Sequence, residues 1–473
     1  MSLIHFNIFP KLRFSLLLGA TTLLSFVNLS AQTALDEAFA SVLQDENLAE
    51  ASISAVFMNK ESNEAVLEHN ADQLLAPAST MKALVTRTAL EVFGPDHQFV
   101  TELILQGEVM NSELKGDVII RGYGDPTFGS SKFGRDDVLV RWITALRKTG
   151  ISTISGKLIL DEGYFTDAPL AGNTAIADGG NYYAAGAHSI NYLDNTFEVT
   201  LASTNEVGGM VSVTTISPQI PNLTLVSELE ASQSKRDNAY IFGQPFDEKR
   251  FIRGSIPMGR KSFKIKGAMP HPAACLGNEF VRIASTKGMK IKGGYEVVAQ
   301  STVAEDEVIL ETEYSPKLSE LVYYTNRKSV NLYAACLLKQ LGMQASGIGS
   351  FQTGEKALKT FWRSKGLNVR GMQLIDGSGL SRANNLTSRQ LAFINAYVGA
   401  GEEAYLKSLR PFEGRGSLLV KSGYINRVRA YTGRTTLQNG EEVAFAIIVN
   451  NYACTATEAN RVLKKFLKSI TLQ

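Results

Sequence analysis

Ala76-Pro77-Ala78-Ser79-Thr80-Met81-Lys82 sets a hydroxyl nucleophile and a base one helical turn apart, ahead of the helix-compatible run Ala83 to Leu90. Pro77 stands where a first helical turn tolerates proline. A serine at such a helix start lies near unpaired backbone N–H groups and the positive end of the dipole. Lys82, three residues on, projects from the same face and can take the serine's proton when burial lowers its pKa. By itself the tetrapeptide is far more often a helix cap followed by a solvated lysine.

Two later segments decide between these readings. Ser329-Val330-Asn331 and then Lys421-Ser422-Gly423 follow in order. Ser-x-x-Lys, Ser-x-Asn and Lys-Thr/Ser-Gly in that order form the motif set of the penicillin-recognising serine enzymes. The flanking stretches Gly124-Asp125-Pro126-Thr127, Gly156 to Asp161, Arg327 to Tyr333 and Asp376 to Arg382 resemble the class C low-molecular-mass penicillin-binding proteins. That is the penicillin-binding protein 4 group of D-alanyl-D-alanine carboxypeptidases and endopeptidases. The resemblance covers nearly the whole chain after residue 31, and the wide gap between the first two motifs is typical of the group. Class A β-lactamases share the motif order but are too short between motifs.

Length and composition agree with this reading. The 473 residues exceed one ordinary core, and 44% hydrophobic with 20% charged residues describe a globular protein. The formal charge of +2 equals the contribution of Lys11 and Arg13, so the chain beyond residue 31 is near neutral. A neutral surface does not suit nucleic acid. Residues 1–31 read as a secretory signal peptide: Lys11 and Arg13, an apolar stretch from Phe14 to about Leu29, then Ser30-Ala31. The run is interrupted by polar residues and is short for a membrane span. A periplasmic or otherwise extracytoplasmic protein with at most loose membrane association is expected. Cys275, Cys336 and Cys454 are an odd set, with Cys336 in an apolar helical run; the sequence leaves pairing of the other two open.

The fold class expected is α+β: a serine β-lactamase/transpeptidase-like domain interrupted by a large β-rich insertion. Ser52 to Met58 and Ala65 to Leu67 read as strands before the nucleophile helix. Leu418 to Val420, Ala430 to Leu437 and Val443 to Val449 read as three more, the last two joined by the hairpin signal Asn439-Gly440. Thr455-x-x-Glu458 is a capping box opening a last amphipathic helix. A five-stranded antiparallel sheet flanked by helices follows, built from 32–98 and 305–473. Residues 99–304 form the insertion, and the resemblance implies two nested subdomains.

The resemblance also implies the roles. Ser79 attacks a D-alanyl-D-alanine carbonyl and Lys82 accepts its proton. Ser329 relays a proton to the leaving amine, and Asn331 holds the Lys82 amine and a substrate amide. Lys421 and Ser422 bind the terminal carboxylate, while the backbone N–H groups of Ser79 and Tyr424 make the oxyanion hole. The third motif's Gly423 belongs to the same substrate-binding strand. Arg382 and Ile425 lie by the distal side chain, and an insertion acid faces an ammonium there, Asp161 first and Asp125 second. Asp125 before Pro126 also fits a plain turn residue. Val330 stands where aspartate is common in the group, and Tyr424 where threonine or serine is common. No histidine, cysteine or acid cluster has zinc spacing, and neither metal nor cofactor is expected. The expected partners are peptidoglycan stem peptides, with β-lactams as covalent inhibitors. A catalytically idle penicillin-binding scaffold and a β-lactamase are the rival readings.

Overall fold

The computed structural model describes residues 34–300 and 304–472, which form two compact units. The expected signal peptide lies outside the described residues. The first unit gathers the chain up to Leu75, Thr387–Tyr397 and the chain from Pro411 onward; the second holds Ala76–Leu386 and Val398–Arg410.

In the first unit the sheet has six strands rather than five. Their order is Arg410–Phe412, Arg415–Ile425, Val428–Thr436, Glu442–Asn450, Ser52–Asn59 and Ala65–His69. The addition is the short edge strand Arg410–Phe412, whose Pro411 suits an edge because it removes a ladder donor. Ser52–Asn59 and Glu442–Asn450 pair antiparallel at the centre, with Phe57 opposite Phe445 and their rings stacked 5.2 Å apart. The apolar run Val443 to Val449 lacks alternation because helices cover both faces. Phe57, Phe445, Ile447 and Val449 pack with Leu463, Phe466 and Leu467 of the helix Ala456–Ile470. Val56, Met58 and Ala444 form a second cluster with Ala392 and Ala396 of the helix Ser388–Ala396. The expected capping box is present: Thr455 accepts from the Glu458 N–H, and the Glu458 carboxylate accepts from Thr455 N–H.

The second unit is built around the helix Met81–Phe93, whose residues Met81 to Leu90 are all buried. Several of its polar members find buried partners. Thr88 accepts from the Trp362 indole at 2.8 Å, Asn326 donates to Thr86 at 3.0 Å, and Arg87 pairs with Glu91 at 3.1 Å. The helix ends at Gly94 (φ +83), followed by Pro95, a stop that needs no side chain. A seven-stranded sheet includes Val100–Met110, Glu113–Gly122, Leu158–Asp161 and Glu307–Tyr314. Glu307–Tyr314 pairs with Val100–Met110, so this sheet runs past residue 304. Two three-stranded sheets made by residues 196–268 fall in sequence between its strands and share its hydrophobic core.

Candidate active site

Ser79 lies in the 3-10 turn Ala78–Thr80 that leads into the helix Met81–Phe93. Ala78, immediately before it, has φ +46, a left-handed conformation that costs an alanine energy and is kept only where its surroundings enforce it. Lys82 is fully buried. Its Nζ lies 2.9 Å from Ser79 Oγ and donates to the Ser378 carbonyl at 2.7 Å. Ser79 Oγ and Lys82 Nζ therefore meet through the i, i+3 spacing, and a backbone carbonyl from distant sequence accepts from the amine.

That carbonyl is held by Asp376. Its Oδ1 accepts from the N–H groups of Ser378 at 2.7 Å and Gly379 at 2.6 Å, and its Oδ2 from Ser381 N–H at 2.7 Å. A carboxylate taking several backbone donors fixes a loop without help from secondary structure. Gly379 has φ +82, and a Cβ there would stand 1.8 Å from the Ala78 carbonyl oxygen. Glycine is required both by the backbone angle and by this approach. The Ser378 carbonyl is the functional group that motif reading missed. The Asp-Gly-Ser-Gly run marks a turn, but nothing in it says that the turn meets Lys82.

Ser329 has φ +56, where the chain reverses between the helices Leu318–Arg327 and Asn331–Ser346. Asn331 opens the second of these, which packs against the nucleophile helix. Its Nδ2 donates to the Tyr183 carbonyl at 2.6 Å. Two residues on, the Tyr333 hydroxyl donates to Asp194 at 2.5 Å. The segment 181–195, which holds two 3-10 turns, thus bonds the first turn of this helix at two points. Arg382, on the loop beyond Ser381, is exposed.

The third motif lies in the first unit, on the strand Arg415–Ile425. Lys421 and Gly423 are buried, Ser422 and Tyr424 exposed, and Ile425 intermediate. The Lys421 amine donates to the Ser422 carbonyl at 2.8 Å, and burial holds its pKa down to about 7. Tyr424 is 51% exposed, and its ring lies 4.0 Å below the guanidinium of Arg429, its cross-strand partner. The ring is therefore turned along the hairpin by a cation–π contact.

The two insertion acids prove to be engaged within the second unit. Asp161 is buried, and its Oδ2 accepts from Arg121 at 2.9 Å while its Oδ1 accepts from Gly163 N–H at 2.9 Å. Arg121 is also clamped by both oxygens of Glu307 at 3.0 Å. Asp161 therefore does not stand open to a substrate ammonium, as the expectation had it: it is ion-paired with Arg121, a partner it shares with Glu307. Asp125 accepts from Thr127 N–H at 2.8 Å and pairs with Arg135 at 2.7 Å, as its turn reading anticipates. Lys339 is a third buried lysine, one that the motifs do not name. It pairs with Asp167 at 2.6 Å and donates to the carbonyls of Ala168 and Ala187, a fully structural setting. Cys275, Cys336 and Cys454 are all free; burial pushes the Cys336 thiol up to about 12, which makes it inert. Among the described residues no group of histidine, cysteine and acid side chains could hold a metal ion, and no helix is long and apolar enough to cross a membrane.

The model of the D-Ala-D-Ala carboxypeptidase 3 (S13) family matches residues 35–470. The chain belongs to that family. The D-alanyl-D-alanine carboxypeptidase of Actinomadura sp. (strain R39) is 24% identical over 472 residues, covering 92% of this chain and 85% of the relative. The carboxypeptidase DacB of Haemophilus influenzae is also 24% identical, over 420 residues, covering 85% and 86%. The crystal structure of penicillin binding protein 4 from the same organism superposes with a TM-score of 0.78 at 22% identity. It covers 90% of this chain and 97% of that one, and establishes the shared fold.

Proposed function

We propose that this S13 chain is an exported serine D,D-peptidase that acts on D-alanyl-D-alanine stem-peptide ends and D-alanyl cross-links of peptidoglycan through an acyl-enzyme on Ser79. The observation that carries the reading is the buried Lys82 amine between Ser79 Oγ and the Ser378 carbonyl. A neutral Lys82 takes the Ser79 proton as Oγ adds to the scissile carbonyl, forming the C–O bond of the tetrahedral intermediate. Collapse expels the amine of D-alanine or of the neighbouring stem, which receives a proton through Ser329. Water then attacks the acyl-enzyme and returns Ser79 to its resting state. Backbone N–H groups of Ser79 and Tyr424 stabilise the oxyanion.

The third motif supplies Lys421 and Ser422 for a terminal carboxylate in this scheme, with Asn331 holding a substrate amide. Gly423, Arg382 and Ile425 border the remainder of the stem. β-Lactams acylate the same serine; the Haemophilus relative has been solved with one. Function outside the cytoplasm follows from the leader and from the location of the substrate. Ser79→Ala should abolish both the covalent penicillin adduct, read by intact-protein mass, and D-alanine release from a D-alanyl-D-alanine pentapeptide. Lys82→Ala should slow acylation by roughly 10²-fold, the scale of a lost general base. An undiminished adduct on Ser79→Ala would overturn the reading. Rapid drug turnover would favour a β-lactamase, and labelling without peptide hydrolysis would favour the idle scaffold.

A further inference from the structure

We propose that a cavity beside the second motif, lined by Tyr182, Tyr183, Tyr240, Asp237 and Lys266, is a saccharide subsite that seats a sugar ring of the glycan strand bearing the stem peptide. The inference rests on the peptidase reading above for the identity of the polymer. The cavity measures about 140 Å³. That is on the scale of a single ring and too small for a folded peptide segment.

Its walls are of two kinds. Tyr182 and Tyr240 are 56% and 49% exposed, and Tyr182 meets Tyr183 edge-to-face at 5.5 Å, so both tyrosines keep much of their surface open to solvent. A pyranose has an apolar C–H face that stacks on such rings and hydroxyls that bond at their edges. Asp237 and Lys266 supply the edge groups. Neither forms an ion pair among the described residues, although both line the same small cavity, and Asp237 is bonded only to the Ala239 N–H, at 3.0 Å. An unpaired carboxylate and ammonium give charge-assisted hydrogen bonds to neutral hydroxyl and acetamido groups.

The location gives the occupant. Tyr183 forms one wall of the cavity, and its carbonyl accepts from Asn331 Nδ2 at 2.6 Å. A peptide lying along Asn331 is therefore bound next to this wall. A stem of three or four extended residues reaches at most ~14 Å, so the sugar to which it is attached is kept close to the cleft.

The test uses the full-length protein and its Tyr182→Ala/Tyr240→Ala and Lys266→Ala variants. One substrate is a disaccharide pentapeptide and the other is the same pentapeptide without sugar. The expected result is a loss of fivefold or more in kcat/KM on the glycopeptide, with the sugar-free peptide within twofold of wild type. In parallel, tri-N-acetylchitotriose is titrated calorimetrically into Ser79→Ala protein with and without the tyrosine substitutions, an arm that needs no turnover. Binding that disappears with the tyrosines supports the subsite even if the wild-type protein hydrolyses neither peptide, an outcome that would sink the peptidase reading alone. Equal losses on both substrates, or no oligosaccharide binding, would overturn the subsite. Displacement of the oligosaccharide by a free diamino diacid would do the same, because it would reassign Asp237 and Lys266 to a zwitterion.

Discussion

Replacing Gly379 by alanine should cripple acylation although residue 379 carries no functional group. At φ +82 an L side chain costs about 1–2 kcal/mol. The larger effect is steric: the new Cβ would stand 1.8 Å from the Ala78 oxygen and 2.4 Å from its carbonyl carbon, where real contacts begin near 3.0 Å. The two backbones must part by roughly 1 Å. One carries Ser378, whose carbonyl aims the Lys82 amine, and the other leads directly into Ser79. A 1 Å misplacement costs on the order of 10²-fold in rate, equivalent to about 2.7 kcal/mol of transition-state stabilisation. The assay is the second-order acylation rate with a fluorescent penicillin, beside a calorimetric melt. Gly366→Ala is the control. It has a similar φ of +89 but open space around the added Cβ, so it should cost stability and leave acylation untouched. Acylation of folded Gly379→Ala within threefold of wild type would refute the role given to the Ser378 carbonyl.

Four further outcomes are expected. Lys421, with its pKa held down to about 7, is charged below that pH and neutral above it, so KM for substrates ending in a carboxylate should rise as pH passes through about 7. A flat profile would remove Lys421 from carboxylate binding. The same depression makes the unfolded chain bind the extra proton between about 7 and the ordinary lysine value near 10.4, so this group's contribution to stability should grow with pH across that window. Tyr424→Thr should raise kcat/KM for terminal D-alanine release about tenfold relative to cross-link cleavage, since a hydroxyl bonded to a charged group is worth ~1.5–3 kcal/mol; an unchanged ratio would leave Tyr424 no part in specificity. Asp161→Asn should lower the melting temperature and slow peptides with and without a free side-chain ammonium equally, because its partner is Arg121; a selective loss on the ammonium-bearing peptide would restore it as a recognition group.

What could be read in advance divides by the range of the interaction. Ser79 and Lys82 were legible because three residues of helix fix their meeting, and the Thr455–Glu458 box and the Asn439-Gly440 hairpin are equally local. The short edge strand at Arg410–Phe412 was not, since three residues around a proline carry no period. Nor was the Ser378 carbonyl, because every residue has one and only packing selects which of them meets a buried amine. Asp161 shows the same limit from the side of charge. The resemblance made it the first candidate for a recognition acid. The parallel register of Leu158–Asp161 on Glu113–Gly122 puts Arg121 directly opposite it, and Glu307 closes the cluster from a third strand. Residue types give the sign of a charge; only strand register tells whether the fold has already paired it. Tyr424 and Arg429 are the intermediate case. The hairpin places them opposite each other once its turn at Asn426-Arg427 is known. That register is what lets the Tyr424 ring lie under the Arg429 guanidinium, a contact that neither residue type announces by itself.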